Sequence, residues 1–322
     1  MFRLLQNRQG MALLLTLLVV SVLAAVTVYF SVSMRTDYES AANLRDSVQL
    51  TARAGSVFEY GRTVLAVDAA ANQYDTLSEG WASAESLSDG AGRLVGGGDC
   101  ALQIVDQSGL LQVNALVNGE GQYNEALQQS FIRLLVSDGG VSEEDAWNIT
   151  DAVKDWIDAD DEVTRFGAES STYLAMDPPY RCKNAPVETL AELLLVQGVS
   201  KELLYGSENS RGIASSLTPF GNDGTVNINT ATRSVLLALS ENMDEEMVES
   251  MDDYRHSPVN DLSSPLWYRN IRGDVDIDGA VVQSSYFEIV ATAKKGRMRR
   301  TVRGAVHRSD AKKIEVLAWE VE

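Results

Sequence analysis

The chain has 322 residues, 45% of them hydrophobic, and a formal net charge of −19 at a sequence pI of about 4.5. Beyond a membrane segment, that length holds one large domain or two modest ones. The acidic balance repels phosphate backbones and argues against general nucleic-acid binding; it suits a divalent cation instead.

Met1 to Gly10 carries Arg3 and Arg8 and ends in glycine. An uncharged apolar run follows from Met11 to Met34, and the next charge is Arg35. About 20 such residues cross a bilayer as a helix. A secretory signal has a shorter apolar core, followed by small residues where it is cut. Here the candidate cleavage residue, Gly10, precedes the apolar run, so a cut between Gly10 and Met11 removes the charged leader and keeps the helix. The alternative is an anchor that is never cut. The two leader arginines put the N-terminus in the cytoplasm, with Arg35 weighing slightly against this.

From Thr36 to about Val67 there is no proline, and Leu44, Val48, Thr51, Gly55, Phe58 and Leu65 fall at spacings of three, four or seven. One amphipathic face is expected, continuing the membrane helix onto a globular domain. Asn72 to Ser88 reads as loop, and Arg93 to Val113 as strands with glycine turns. Asn114 to about His256 is helical in character. Glu125–Val136 has helical spacing, and Ser142 opens a capping box into a helix bearing Trp147, Ile149, Val153 and Trp156. Pro186–Gln197, Thr230–Leu239 and Asp244–Arg255 read as further helices. Leu193–Leu203 and Val226–Ala231 with the helices after it look like helix–hairpin–helix elements, taken as packing modules because acidic residues surround both. Tyr286–Lys294, Arg297–His307 and Lys312–Glu320 read as strands, the first two joined by a Lys295-Gly296 turn. The order predicts an α+β fold: a long N-terminal helix packed on a small antiparallel sheet, with a large all-helical insertion. The expected divisions are a leader (1–10), the membrane part of the helix (11–34), its continuation with the first strands of the sheet domain (35–113), the inserted helical domain (114–256) and the C-terminal strands of the sheet domain (257–322).

Asp158, Asp160, Glu162 and Glu169 take the first, third, fifth and twelfth places of an EF-hand-like loop, a spacing of hard oxygen ligands suited to Ca²⁺. The sixth place is Val163 rather than glycine, and Asp155 and Asp161 are possible substitutes; the competing reading is a solvated acidic loop. Asp274, Asp276 and Asp278 form a second candidate, against an exposed turn. Outside the cytoplasm, Cys100 and Cys182 suggest one disulfide, against two free thiols. No catalytic constellation surrounds His256 or His307, so no enzyme is expected.

The leader resembles those of type IV pilins and type II secretion pseudopilins, in which a prepilin peptidase cuts after glycine and methylates the new N-terminus; carried over, the cut falls between Gly10 and Met11 and the methyl on Met11. With the leader, Asp155-Trp-Ile-Asp158, Gly167-Ala-Glu169, Pro179-Tyr-Arg-Cys-Lys-Asn184 and Val226-Asn-Ile-Asn-Thr-Ala231 resemble the K-type minor pseudopilins of type II secretion systems. The resemblance implies a pilin-like sheet domain with a helical insertion, bound calcium, and a single pass through the inner membrane with the C-terminal domain in the periplasm. It implies a place at the tip of a short pseudopilus, above the I-type and J-type minor pseudopilins and served by an inner-membrane assembly platform for protein export. Counted from Met11, the fifth position is Leu15, where most pilins have Glu. A buried Glu costs about 2.5–3.5 kcal/mol or more at the bilayer centre and is worth keeping only where a subunit above supplies an amine. The rival functions are a minor tip pilin of a type IV pilus or DNA-uptake system, and a membrane-anchored hydrolase.

Overall fold

The computed structural model describes residues 8–96, 99–208, 210–310 and 313–322. Arg3 and the rest of Met1–Asn7 lie outside these residues.

Helix α1 runs unbroken from Arg8 to Ala71, 64 residues, or about 96 Å at the usual rise. Its first half is the one helix among the described residues long and apolar enough to cross a membrane, with a mean hydropathy of 2.7 over its most apolar window. Among the described residues nothing covers that half; full burial begins at Leu50. Of the expected stripe, Leu44 and Val48 stay exposed, and Phe58 and Leu65 are buried.

Asn72–Ser88, expected as loop, instead holds a 3₁₀ turn at Gly80–Ala82 and the start of α2, Ala84–Leu94. Ser83 caps α2 by accepting from the Ser86 amide, and Trp81, Leu87 and Ala91 bury against the sheet. Ala84, Leu87, Ala91 and Leu94 fall at helical spacing, but two of the four are alanine and Ser and Gly lie between them, which is why α2 reads as loop. Strand β1 follows (Asp99–Asp106). An inserted block then carries β2 (Leu111–Gln112), α3 (Glu125–Ser137), α4 (Glu143–Ile157), α5 (Ser170–Tyr173) and α6 (Lys201–Tyr205). It continues with β3 (Leu217–Thr218), β4 (Val226–Asn227), α7 (Arg233–Leu239), α8 (Glu245–His256) and β5 (Ala280–Val281). Strands β6 (Tyr286–Lys295), β7 (Met298–Asp310) and β8 (Lys313–Val321) end the chain.

The main sheet has the order β1-β6-β7-β8, antiparallel throughout. Along β6 the alternation is strict: Phe287, Ile289, Ala291 and Ala293 are buried on α1. Strand β7 runs beside α1 in the same direction, with Arg300 at Ser47, Gly304 at Phe58 and Arg308 at Asp68. Helix and sheet approach closely at Gly304, where a Cβ would sit 2.7 Å from the Ala318 carbonyl and 2.8 Å from the Phe58 ring.

The insertion has its own core, from Leu110 to Val282. It therefore takes in Ser257–Val282, a stretch assigned above to the C-terminal strands. The cause is packing: Trp267 stacks on Tyr254 at 5.1 Å, and Val275 and Ile277 are buried. The block is mainly helical, with two short parallel ladders, β2–β3 and β4–β5. The helix expected over Pro186–Gln197 is a 3₁₀ helix, Leu190–Leu195, whose Glu192 reaches back to the Glu188 and Thr189 amides.

The expected disulfide is corrected. Both thiols are free. Cys100 packs with the α1–sheet core and Cys182 lies within the core of the insertion, where its thiol donates to the Asp155 carbonyl at 3.3 Å.

Candidate metal centre

Helix α4 ends in Asp155-Trp-Ile-Asp158, and its register sets the site. Trp156 faces the core, edge-on to Tyr173 at 5.3 Å. The chain then turns through Ala159–Gly167 and returns Glu169 to the helix end. Thr164 donates its amide to both Asp155 oxygens at 3.1 Å. Gly167 is obligatory at the return, since a Cβ there would stand 2.1 Å from Asp155 Oδ2. The Pro179–Asn184 stretch straps the loop: Asn184 donates to the Asp160 carbonyl, and Tyr180 to the Leu195 carbonyl at 2.7 Å.

Asp158, Asp160 and Glu169 come together, with one oxygen of each within 4.8 Å of the others. Glu169 is 1% exposed, and neither of its oxygens has a hydrogen-bond partner. Asp158 Oδ1 is likewise unpartnered, while its other oxygen accepts from Lys154. Burial, followed by the charges of Asp155, Asp158 and Asp161, pushes the Glu169 carboxyl up to about 7. Burial also raises Asp155 and Asp158. Converging carboxylates with orphaned oxygens fit a hard divalent cation, which relieves both the repulsion and the missing hydrogen bonds.

Glu162 does not join this group. It is exposed, and its amide donates to Asp160 Oδ1 at 2.9 Å. Asp274, Asp276 and Asp278 do not converge either. Their segment alternates, with Val275 and Ile277 buried and the three carboxylates turned to solvent; Asp276 pairs with Arg269 at 2.7 Å. The alternation puts the three on one face, where an extended chain spaces them about 6.6 Å apart rather than drawing them together.

A second acidic group, Asp68, Asp75 and Glu79, escaped the sequence reading and is of another kind. Arg308 donates to both Asp75 oxygens at 2.6 Å and to Asp68 at 3.3 Å. Asn72, Thr76 and Trp81 satisfy Glu79. Beside it, Asp106 accepts from the Ser284 and Thr230 hydroxyls and the Ser108 amide. The Val226–Ala231 motif supplies the insertion's side of this joint: Asn227 donates to Ser284 Oγ at 2.7 Å, and Asn229 links the Leu262 carbonyl to Trp267 Nε1. The group clamps the insertion to α1 and the sheet. No sequence-level signal marked it, since the Asp75 and Asp68 carboxylates lie 233 and 240 residues from Arg308 along the chain. The histidines serve packing, His307 stacked on Tyr286 at 4.7 Å and His256 bonded to the Asp252 carbonyl at 2.7 Å.

Comparison with known proteins follows this geometry. Residues 109–206 match the family model for type II secretion system protein K. The chain is 26% identical to type II secretion system protein K of Pseudomonas aeruginosa, over 98% of this chain and 93% of that protein. It is 34% identical to the protein of the same name from Pectobacterium carotovorum, over 34% of each. In fold it is similar to a chain of the solved GspK-GspI-GspJ complex of the enterotoxigenic Escherichia coli type II secretion system, with a TM-score of 0.69 and 19% identity, covering 88% of this chain and 99% of that one. The matched segment holds the whole carboxylate loop, the Pseudomonas relative aligns over nearly the full chain, and the fold agrees; along its length this chain is similar to the K proteins of type II secretion systems.

Proposed function

We propose that this protein is the minor pseudopilin that caps the pseudopilus tip and helps start its assembly for protein export. The observation carrying this reading is where the insertion joins the rest. Its clamp lies at Asp68, Asp75 and Arg308, beyond the far end of the helix–sheet contact from the apolar half of α1. A bulky domain there overhangs the position of any subunit stacked above. Leu15 agrees, being a residue with no carboxylate to offer an amine overhead. The partners on this reading are the I-type and J-type minor pseudopilins, since the similar solved chain comes from a complex with GspI and GspJ. The prepilin peptidase would cut between Gly10 and Met11 and methylate Met11, and the inner-membrane assembly platform would lift the trimmed subunit. The N-terminus is cytoplasmic and the insertion periplasmic.

Calcium belongs to the same proposal. Asp158, Asp160 and Glu169 would hold the ion, with Asp155 and Asp161 beside them, and it would supply charge neutralisation that locks the α4 end to the Glu169 return. It has no chemical step to perform. Nucleic acid has no place here, because the insertion is the acidic part of the chain.

Mass spectrometry of the mature N-terminus, with identification of copurifying proteins, tests the reading. Expected are an N-terminal methylated Met11 and the I-type and J-type subunits. A native chain still beginning at Met1, or partners from a type IV pilus, would refute it.

A further inference from the structure

The β6–β7 hairpin carries Lys294, Lys295, Arg297, Arg299 and Arg300, and no acidic residue lies between Glu288 and Asp310. Lys294, Lys295, Arg297 and Arg299 are exposed. Lys295 pairs with Asp46 at 2.8 Å, and Arg300 donates to Ser47 Oγ at 2.9 Å. These two contacts fasten the hairpin to α1. Lys294, Arg297 and Arg299 have no ion pair among the described residues; Asp99 stands opposite Lys294 in register, and Glu322 pairs through its backbone with Thr301.

Because β7 runs alongside α1 from Ser47 to Asp68, the turn at Gly296 is the end of the sheet nearest the apolar half of the helix. Arg297 lies three residue steps before Arg300, so the turn hangs up to about 10 Å below Ser47. That is level with residues near Ser40, only about 9 Å along the helix from Met34. A headgroup layer occupies about 5–8 Å beyond the hydrocarbon, and a charged surface acts over a Debye length of about 8 Å. Long Lys and Arg side chains cover what remains.

We propose that this hairpin docks on the anionic phospholipid headgroups of the membrane that holds α1, resting the folded domain on the bilayer before the subunit is extracted. Charge across the molecule supports it. Between Ser108 and Ser285 there are 30 acidic and 11 basic side chains, so the insertion alone carries −19, the formal net charge of the whole chain. The same leaflet therefore attracts the hairpin and repels the insertion, which sets the domain upright on α1. An acidic protein face would also meet these cations, but their height above the apolar segment favours lipid.

The inference rests on the reading of α1 as a membrane anchor. The test is amide hydrogen exchange of the full-length chain in phosphatidylcholine nanodiscs, with and without phosphatidylglycerol. With phosphatidylglycerol, exchange over residues 294–300 should slow at least about fivefold, the effect of one surface cation. High salt and the variant Lys294→Gln/Arg297→Gln/Arg299→Gln should each restore the phosphatidylcholine rate. The variant should melt with the wild type, since it removes no ion pair; Arg297→Gln alone, in the turn, should still lose part of the protection. Equal exchange in both lipids with α1 inserted overturns the proposal. So does protection that appears only with I-type or J-type subunits, whatever the lipid. A chain that does not insert at all overturns the anchor reading instead.

Discussion

Glu169 is the residue on which the calcium proposal turns. Buried, without a hydrogen bond and beside other carboxylates, it destabilises the ion-free fold. Calcium at a hundred times its dissociation constant should add about 2.7 kcal/mol and raise the melting temperature by several degrees, with EDTA reversing the rise. Glu169→Gln should melt above the ion-free wild type and lose the calcium response, since the repulsion goes with the charge. Calorimetry with and without calcium checks both; an EDTA-insensitive wild type removes the ion from the account. Asp106 gives a pH signature. Its carboxyl is raised to about 6 by burial, above its unfolded value of 3.8. The folded state thus holds a proton that the unfolded chain has released. Stability from this group is present below the unfolded value and declines as pH rises through about 6, by on the order of 3 kcal/mol. Asp106→Asn should flatten that segment of the stability–pH curve, as measured by urea unfolding across pH 4–7. Arg308 is the reverse case, a cation whose removal strands Asp75 in the interior, so Arg308→Met should cost about 3–5 kcal/mol. That Asp158, Asp160 and Glu169 converge was legible in the sequence because their spacing is local. Glu162 was misread because spacing does not say which carboxylate turns to solvent. The Arg308 clamp was invisible, its partners being 233 and 240 residues away.

At the scale of elements, legibility follows periodicity. The three C-terminal strands were read to within three residues: β6 and β7 pack one face on α1 while the other meets water, and β8, exposed except at Ile314, was marked by its β-branched and aromatic residues. Helices α3, α4, α7 and α8 carry both an apolar stripe and a side-chain N-cap, at Asn124, Ser142, Thr232 and Asp244. Two segments were missed: α2, whose Ser83 cap precedes a stripe half made of alanine, and the Ser257–Val282 return, whose buried Trp267 and Tyr268 stand in no regular pattern. The contact of α1 with the sheet makes its own prediction. Gly304 leaves no room beside the Ala318 carbonyl and Phe58, and backbone cannot yield as a rotamer can. Gly304→Ala should destabilise by about 1–3 kcal/mol, seen as a lower urea midpoint with an unchanged slope.

For the whole molecule, the insertion is separable in chain, core and charge. It leaves and re-enters the sheet at neighbouring points: Asp106 pairs with Phe287, and the Gln107 amide donates to the Tyr286 carbonyl at 2.9 Å. None of the residues in the α1–sheet core lies between Ser108 and Ser285, and the residues outside that segment are balanced at 16 acidic and 16 basic. Replacing Ser108–Ser285 by an Asn-Gly turn should therefore close β1 and β6 into an ordinary hairpin. The Asp75–Arg308 pair survives the cut, since both residues stay, and it loses its bonds to Asn227, Val282, Ser284 and Ser285. The shortened chain should keep a single cooperative melting transition; a molten or insoluble product would mean that the sheet depends on the insertion for its fold. If bulk at the far end of α1 is what confines the full chain to the tip, the shortened one should enter the shaft, and gold labelling should find it along pseudopili. Labelling still restricted to one end would move the cause of tip placement to α1 itself, where Leu15 is the residue to change next.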